Sequence, residues 1–202
     1  MLQIRWHGRG GQGAVTAARI FGLAAAVYGD WYAQSFPSFG TERRGAPVTA
    51  FTRLDDRPIR DRSQIYNPDY VVVLDATLLE CTDVFAGLAT GGTVLINADR
   101  EKAAVRALDR ARVYYLDATR LAREVLGVPI VNTTMVAALA GATGLLSLEA
   151  VEKAIAAVLP QGLAAQNIAV ARQAYDLAKV LGGKEAIASG SRVKREALVS
   201  AD

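Results

Sequence analysis

The feature that most constrains this fold lies at the amino terminus, where Leu2-Gln-Ile-Arg-Trp-His7 runs straight into Gly8-Arg9-Gly10-Gly11-Gln12-Gly13 and then into an Ala-rich stretch. A strand-forming run, a glycine-rich turn and a helix start in immediate succession describe the first βα unit of a dinucleotide-binding fold. Gly8, Gly10 and Gly13 carry its spacing. Glycines permit the sharp turn and let the backbone approach a diphosphate closely. The unpaired N–H groups opening the helix predicted over Ala14–Tyr28, at the positive end of its dipole, would face such an anion. A tight strand–helix turn that binds nothing uses the same residues, so the loop reads either as a cradle or as a plain connection.

The second half of that fingerprint is missing. A NAD-type site places Asp or Glu at the end of the second strand, about twenty residues on, to hold the ribose. The second strand predicted here, Trp31–Phe36, ends in Ser35-Phe36-Pro37-Ser38, and Asp30 precedes it at the wrong edge of the sheet. The next charged cluster is Thr41-Glu42-Arg43-Arg44-Gly45. Its guanidiniums suit a phosphate better than a ribose diol. Adjacent side chains on an extended backbone point to opposite faces. One of Arg43 and Arg44 is therefore expected to face the crevice while the other pairs with a carboxylate, although both also read as surface or interface charges.

At 202 residues the chain is long enough for one domain with a sizeable core. A formal charge of +3 and the lack of a basic run interleaved with aromatics argue against nucleic acid. No stretch of about eighteen apolar residues suggests a membrane span. Strand and glycine loop begin almost at once, leaving no room for a signal peptide, so the cytoplasm is the default location. Cys81 is the single cysteine, which excludes a disulfide or a cysteine-held iron–sulfur cluster within the chain.

Beyond the first unit, Trp31–Phe36 and Val48–Leu54 read as strands joined without a helix, and 55–69 as a polar surface excursion. Tyr70–Leu74 is a continuous apolar strand of the kind buried in parallel sheets. A helix is predicted over Thr77–Leu88, a strand over Thr93–Asn97, a helix over Glu101–Asp109 and a strand over Arg112–Leu116. Four helices follow, over Arg120–Leu126, Thr133–Thr143, Leu148–Val158 and Ala164–Leu181, the last ended by Gly182-Gly183. The expected fold is α/β, a doubly wound Rossmann-like sheet with a helical C-terminal third, over residues 1–183. Residues 184–202 form a polar tail, extended or docked elsewhere.

Among other candidate groups, Asp75 closes the most apolar strand at the carboxyl edge, where open α/β folds bind ligands. It reads equally as the cap of the next helix. Asn97 has the same ambiguity, and so does Asn132-Thr133-Thr134 before its apolar helix. His7 lacks an Asp or Ser partner and reads as structural. Cys81 reads as a small buried residue rather than a nucleophile. No His, Cys, Asp or Glu spacing suggests a metal site. An anion cradle and an Arg pair without catalytic machinery suggest a subunit completing a site built on other chains.

The motifs Gly8–Val15, Ser38–Val48, Asn67–Asp75, Gly91–Asn97, Asp117-Ala118-Thr119, Gly127-Val128-Pro129 and Asn132–Met135 occur in order. From about residue 4 to 180 the chain closely resembles the gamma subunit of pyruvate- and 2-ketoisovalerate-type 2-oxoacid:ferredoxin oxidoreductases. The resemblance implies a multi-subunit enzyme that converts a 2-oxoacid and coenzyme A to acyl-CoA and carbon dioxide, with electrons passed to ferredoxin or another acceptor. It implies thiamine diphosphate with Mg on the alpha and beta partners, and 4Fe–4S clusters on beta and delta. For this chain it implies coenzyme A contact through Gly8, Arg9, Gly10, Gly11, Gln12, Gly13, Thr41, Arg43, Arg44, Asn132 and Thr133, with no catalytic residue of its own. Indolepyruvate- and phenylglyoxylate-type relatives, or a stand-alone nucleotide-binding oxidoreductase, are the alternatives. One departure is visible: Gln3-Ile4-Arg5-Trp6 alternates polar and apolar where a central strand would be apolar throughout, so Arg5 must find a partner or one face must be open.

Overall fold

Alternation in the first strand sorts the whole sheet. The structure, a computed structural model, describes residues 1–38, 44–99 and 111–188, with side chains as far as 183. Strand β1 (Leu2–Arg9) is followed by helix α1 (Ala14–Tyr28), β2 (Tyr32–Pro37), β3 (Pro47–Asp55), β4 (Tyr70–Val73), β5 (Thr93–Asn97) and β6 (Arg112–Leu116). They form one six-stranded sheet in the order β2-β3-β1-β4-β5-β6. Strands β1, β4, β5 and β6 are parallel, whereas β3 runs antiparallel to both β1 and β2. Connection length explains this: the link from Pro37 to Pro47 is too short for a parallel crossover. The chain turns back instead, and β3 slots between β2 and β1. Helices α2 (Ala118–Leu126), α3 (Asn132–Thr143), α4 (Leu148–Val158) and α5 (Gln161–Ala188) complete the expected α/β architecture. The expected Glu101–Asp109 helix lies outside the described residues. No described helix is long and apolar enough to cross a membrane.

Ile4 and Trp6 of β1 point into the larger core with Ala50 and Leu54 of β3 and the small-residue face of α1. Ala14, Ala17, Ala18, Ala24 and Ala25 are all buried there, which lets α1 lie close on the sheet. Helix α3 is buried from Asn132 to Gly141, so it is wrapped on all sides. Its tightest neighbour is α5. A Cβ on Gly141 would collide with the Tyr175 carbonyl, and one on Gly182 would lie 2.5 Å from the Ala142 carbonyl oxygen. This corrects the expected stop at Gly182-Gly183, because α5 continues to Ala188. Gly182 permits a backbone contact between helices and does not serve as a cap.

The opposite face of β1 carries Arg5 and His7, both buried. Arg5 finds its partners here: its Nε donates to His7 Nε2 at 3.0 Å, and a terminal nitrogen donates to the carbonyls of Val84 (3.0 Å) and Ala86 (2.6 Å). Those bonds account for a second correction. The Thr77–Leu88 segment is not a helix but a 3₁₀ turn over Ala76–Glu80 followed by irregular chain. The Val84 carbonyl, which a helix would turn to Leu88 N, accepts from Arg5 instead, and the Asp83 carboxylate accepts from Phe85 N at 3.2 Å, a local competitor of helix. Arg53 of β3 behaves alike. Fully buried, it bonds the Ser63 carbonyl (2.7 Å) and the Asp61 carboxylate (3.4 Å), lies 5.2 Å from the Phe36 ring centre, and pins the 55–69 excursion to the sheet.

Burial, and next the Arg5 charge, depress the His7 pKa to about 3, so the folded protein holds it neutral as an acceptor. The unfolded chain protonates it near its ordinary value of 6.5. Stability is therefore lost as pH falls from about 6.5 towards 3, at roughly 1.4 kcal/mol per pH unit from this group. His7→Gln keeps an acceptor but no titrating base. Its unfolding free energy, from urea denaturation between pH 6 and pH 4.5, should fall less steeply than the parent's by about that slope. Parallel curves would show that His7 does not carry the acid sensitivity.

Candidate functional site

The glycine loop leaves β1 at the carboxyl edge of the sheet and is shaped by two left-handed residues, Gly11 (φ 92°) and Gly13 (φ 82°). Gly13 is also a point of close approach, because a Cβ there would lie 2.6 Å from Asn132 Nδ2. The sequence gap between Gly13 and Asn132 closes here, bringing the start of α3 against the start of α1. Neither helix start has a side-chain cap, and neither has an acidic residue in its first turn. The positive ends of the two helix dipoles therefore lie close together, an arrangement suited to negative charge, although the Thr133 amide of α3 is already held by Asn132.

The polar loop residues are organised by Asp75. Its Oδ2 accepts from Gln12 Nε2 at 2.6 Å and pairs with Arg9 Nε at 3.2 Å. Its Oδ1 accepts from the Thr77 amide (3.0 Å) and hydroxyl (2.7 Å), so the capping role is real. Burial pushes the Asp75 carboxyl up, but hydrogen bonds from Gln12 and Thr77, with the Arg9 charge, outweigh it and hold it below the ordinary carboxylate value. Gln12 then reaches back, accepting the Arg9 amide at 2.8 Å through Oε1. The Gly10 amide donates to the Ala46 carbonyl (2.8 Å) and the Gly45 amide to the Gly10 carbonyl (3.0 Å), so the end of the β2–β3 connection straps the loop. Arg44, at that strap, is exposed. Its Cγ lies 3.9 Å from the place a Gly11 Cβ would take, and it has no carboxylate partner among the described residues.

The sequence candidates thus divide. Gly8 to Gly13, Arg44 and Asn132 come together at one edge. Thr133 is near but turned away: it is fully buried, and its hydroxyl donates to Asn167 Oδ1 at 2.8 Å. Asn132 accepts the Thr133 amide at 2.8 Å, and α3 lacks the side-chain cap expected of this run. Asn97 joins strand ends to helix, donating to the Leu74 carbonyl and accepting the Thr119 amide. Thr41 and Arg43 lie outside the described residues. Cys81 is exposed, contrary to the buried reading, because the 3₁₀ turn ends on it at the surface. Sequence reasoning missed the hub role of Asp75 and the Ala46 strap. The signal for Asp75 was its place at the end of an apolar strand; nothing local announced its loop partners.

The pattern defining the pyruvate ferredoxin/flavodoxin oxidoreductase family matches residues 3–177. The chain is 52% identical to the pyruvate/ketoisovalerate oxidoreductases common subunit gamma of Thermococcus litoralis, covering 87% of this chain and 96% of that one. A crystal structure of the pyruvate oxidoreductase subunit PORC from Thermotoga maritima is similar with a TM-score of 0.71 at 36% identity, covering 87% of this chain and 95% of that one. A 2-oxoglutarate:ferredoxin oxidoreductase from Magnetococcus marinus, solved with 2-oxoglutarate, coenzyme A and succinyl-CoA, shares the fold with a TM-score of 0.66 at 16% identity. That likeness covers 91% of this chain and 31% of the other.

If Asp75 holds the loop in shape, Asp75→Asn should release Arg9 and weaken the Gln12 bond while keeping side-chain size. Hydrogen bonds to charged groups are worth about 1.5–3 kcal/mol each. Amide exchange of residues 9–13 should accelerate at least tenfold, with little change in β5. Unchanged loop exchange would show that the hub is not what holds it.

Proposed function

Because the chain belongs to the pyruvate ferredoxin/flavodoxin oxidoreductase family, as a gamma subunit of the pyruvate/ketoisovalerate type, we propose that its carboxyl edge holds the diphosphate of coenzyme A against an active centre built on partner subunits. The observation that carries this reading is the meeting of two uncapped helix starts at the glycine loop, with Arg44 beside them. Coenzyme A presents a diphosphate and a ribose phosphate but needs no acidic residue for a ribose diol. That agrees with a chain whose Asp30 lies before β2, at the edge away from the loop. The structural neighbour solved with coenzyme A supports the same ligand class. A stand-alone nucleotide enzyme would need a ribose-binding acid after β2 and catalytic groups, and no such set stands at this edge among the described residues.

The reaction served is the oxidative decarboxylation of a 2-oxoacid to acyl-CoA, with electrons passed to ferredoxin or a similar acceptor. The alpha, beta and delta partners would carry thiamine diphosphate, Mg and the 4Fe–4S clusters. A single cysteine cannot supply the four thiolates of such a cluster, and no group of three His, Cys, Asp or Glu among the described residues is placed to hold a metal. What this chain's own residues do is bind and orient. The free amides that open α1 would donate to the anion at the positive ends of both helix dipoles, Arg44 adds a fork of donors, and Asn132, whose Oδ1 holds the Thr133 amide, fills the space beside Gly13. Arg9, neutralised by Asp75, shapes the loop and leaves the phosphate to the others.

Two outcomes test this. The purified chain alone should show no 2-oxoacid-dependent dye reduction, with activity appearing only on addition of the partner subunits; turnover by the chain alone would refute the division of labour. In the assembled enzyme, Arg44→Ala should raise the apparent KM for coenzyme A at least about tenfold, the loss of one charge-assisted contact. Arg44→Lys should recover part of it, with kcat and subunit composition held. Parent-like saturation by Arg44→Ala would remove Arg44 from the site.

A further inference from the structure

At the opposite, amino edge of the sheet lies a groove of about 680 Å³ that the proposed function leaves unused. Trp31, Leu145 and Leu146 supply apolar wall, and Asp30, Asp55 and Asp56 supply carboxylates. Asp55 pairs with the Met1 ammonium at 3.5 Å and Asp56 with the exposed Arg57 at 3.7 Å, while Asp30 has no ion pair among the described residues. The groove is therefore apolar with an acidic rim. Met1, which lines it, is 54% exposed, and so are Val27 (59%) and Tyr32 (52%), chain neighbours of the lining residues Tyr28 and Trp31.

Helix α5 runs towards this same end. Its Tyr175 hydroxyl donates to the carbonyl of Leu146, a groove residue, at 3.3 Å. Two turns later Gly182 abuts Ala142, the residue three before the groove's Leu145. The helix is described as far as Ala188, and fourteen residues of sequence follow, Ser189 to Asp202. At about 3.3 Å per residue they span up to roughly 46 Å, ample to reach across the groove. Their sequence places Arg192, Lys194 and Arg195, followed by a single acid, Glu196, ahead of Ala197-Leu198-Val199. Cations followed by an aliphatic run complement carboxylates beside an apolar wall.

We propose that residues 189–202 dock into this groove of their own chain, with Arg192, Lys194 and Arg195 against the Asp30, Asp55 and Asp56 rim and Leu198-Val199 against Trp31, Leu145 and Leu146. Docked there, the tail would leave the carboxyl edge and its glycine loop uncovered. The pairing is intramolecular, so its effective concentration is high and weak rim contacts add up along one short segment.

The test is amide exchange, read by mass spectrometry, on the isolated full chain. Two variants accompany it: one ending at Ala188, and the full-length triple charge reversal R192E/K194E/R195E. Exchange over residues 28–32 and 145–150 should accelerate about tenfold in both variants, with β5 unchanged, and the parent's protection should not depend on protein concentration. Equal exchange in parent and both variants would overturn the proposal. So would protection that grows with protein concentration, which points to a second copy, or protection that arises only with partner subunits and survives removal of the tail. None of these outcomes depends on coenzyme A binding, so the docked tail and the proposed function fail separately.

Discussion

A guanidinium buried inside a sheet has to be satisfied by acceptors, because an unpaired buried charge costs several kcal/mol. Arg5 imposes that condition at the centre of this fold. It sits on β1, between β3 and β4, with no more than a sliver of its surface in water. His7, two residues along the same face, supplies one acceptor, and the carbonyls of Val84 and Ala86 supply the others. A helix over that stretch would have turned the Val84 carbonyl into its own ladder. The covering segment is therefore irregular, and its apolar residues Leu78 and Val84 still reach Val71, Val73, Val94 and Ile96 to form a second, smaller core.

Arg53 repeats the arrangement one strand away. Register pairs Gln3 with Arg53 and Arg5 with Phe51, so both guanidiniums project from the same face. Each draws in a stretch of non-helical chain through its carbonyls, at 84–86 and at 61–63. The two faces of the sheet are thus unlike. One is packed by helices through Ile4, Trp6, Ala50 and Leu54; the other, among the described residues, is covered by straps tied to buried arginines.

That asymmetry positions the candidate site. His7 ends the satisfied polar face, and the chain turns immediately into the glycine loop, anchored on one side by Asp75 and on the other by Ala46. With Arg9 and Gln12 engaged by the carboxylate, the positive character left among the described residues of the edge comes from two helix starts and from Arg44. On the function proposed above, a gamma subunit would leave the chemistry to a neighbour and offer it an anion seat, and a seat built on two packed helix starts would need little reorganisation when a ligand arrives.

Much of this was legible in the sequence. The strand–glycine–helix opening, the apolar run at 70–74, the hairpin of β2 and β3 and the α4 boundaries are local signals of period, glycine and connection length, and they appear where expected. The family was legible too, since its motifs are contiguous words in the chain. What only the tertiary structure decided were outcomes set by distant partners. The 77–88 segment lost its helix to Arg5, Gly182 became a helix contact because Ala142 lies against it, and Thr133 turned to Asn167 and away from the loop. Gly13 met Asn132, and Asp75 gathered Arg9 and Gln12. Periodicity and propensity report the preferences of neighbours along the chain; these choices depend on hydrogen bonds and contacts between residues tens of positions apart, which exist only once the sheet has assembled.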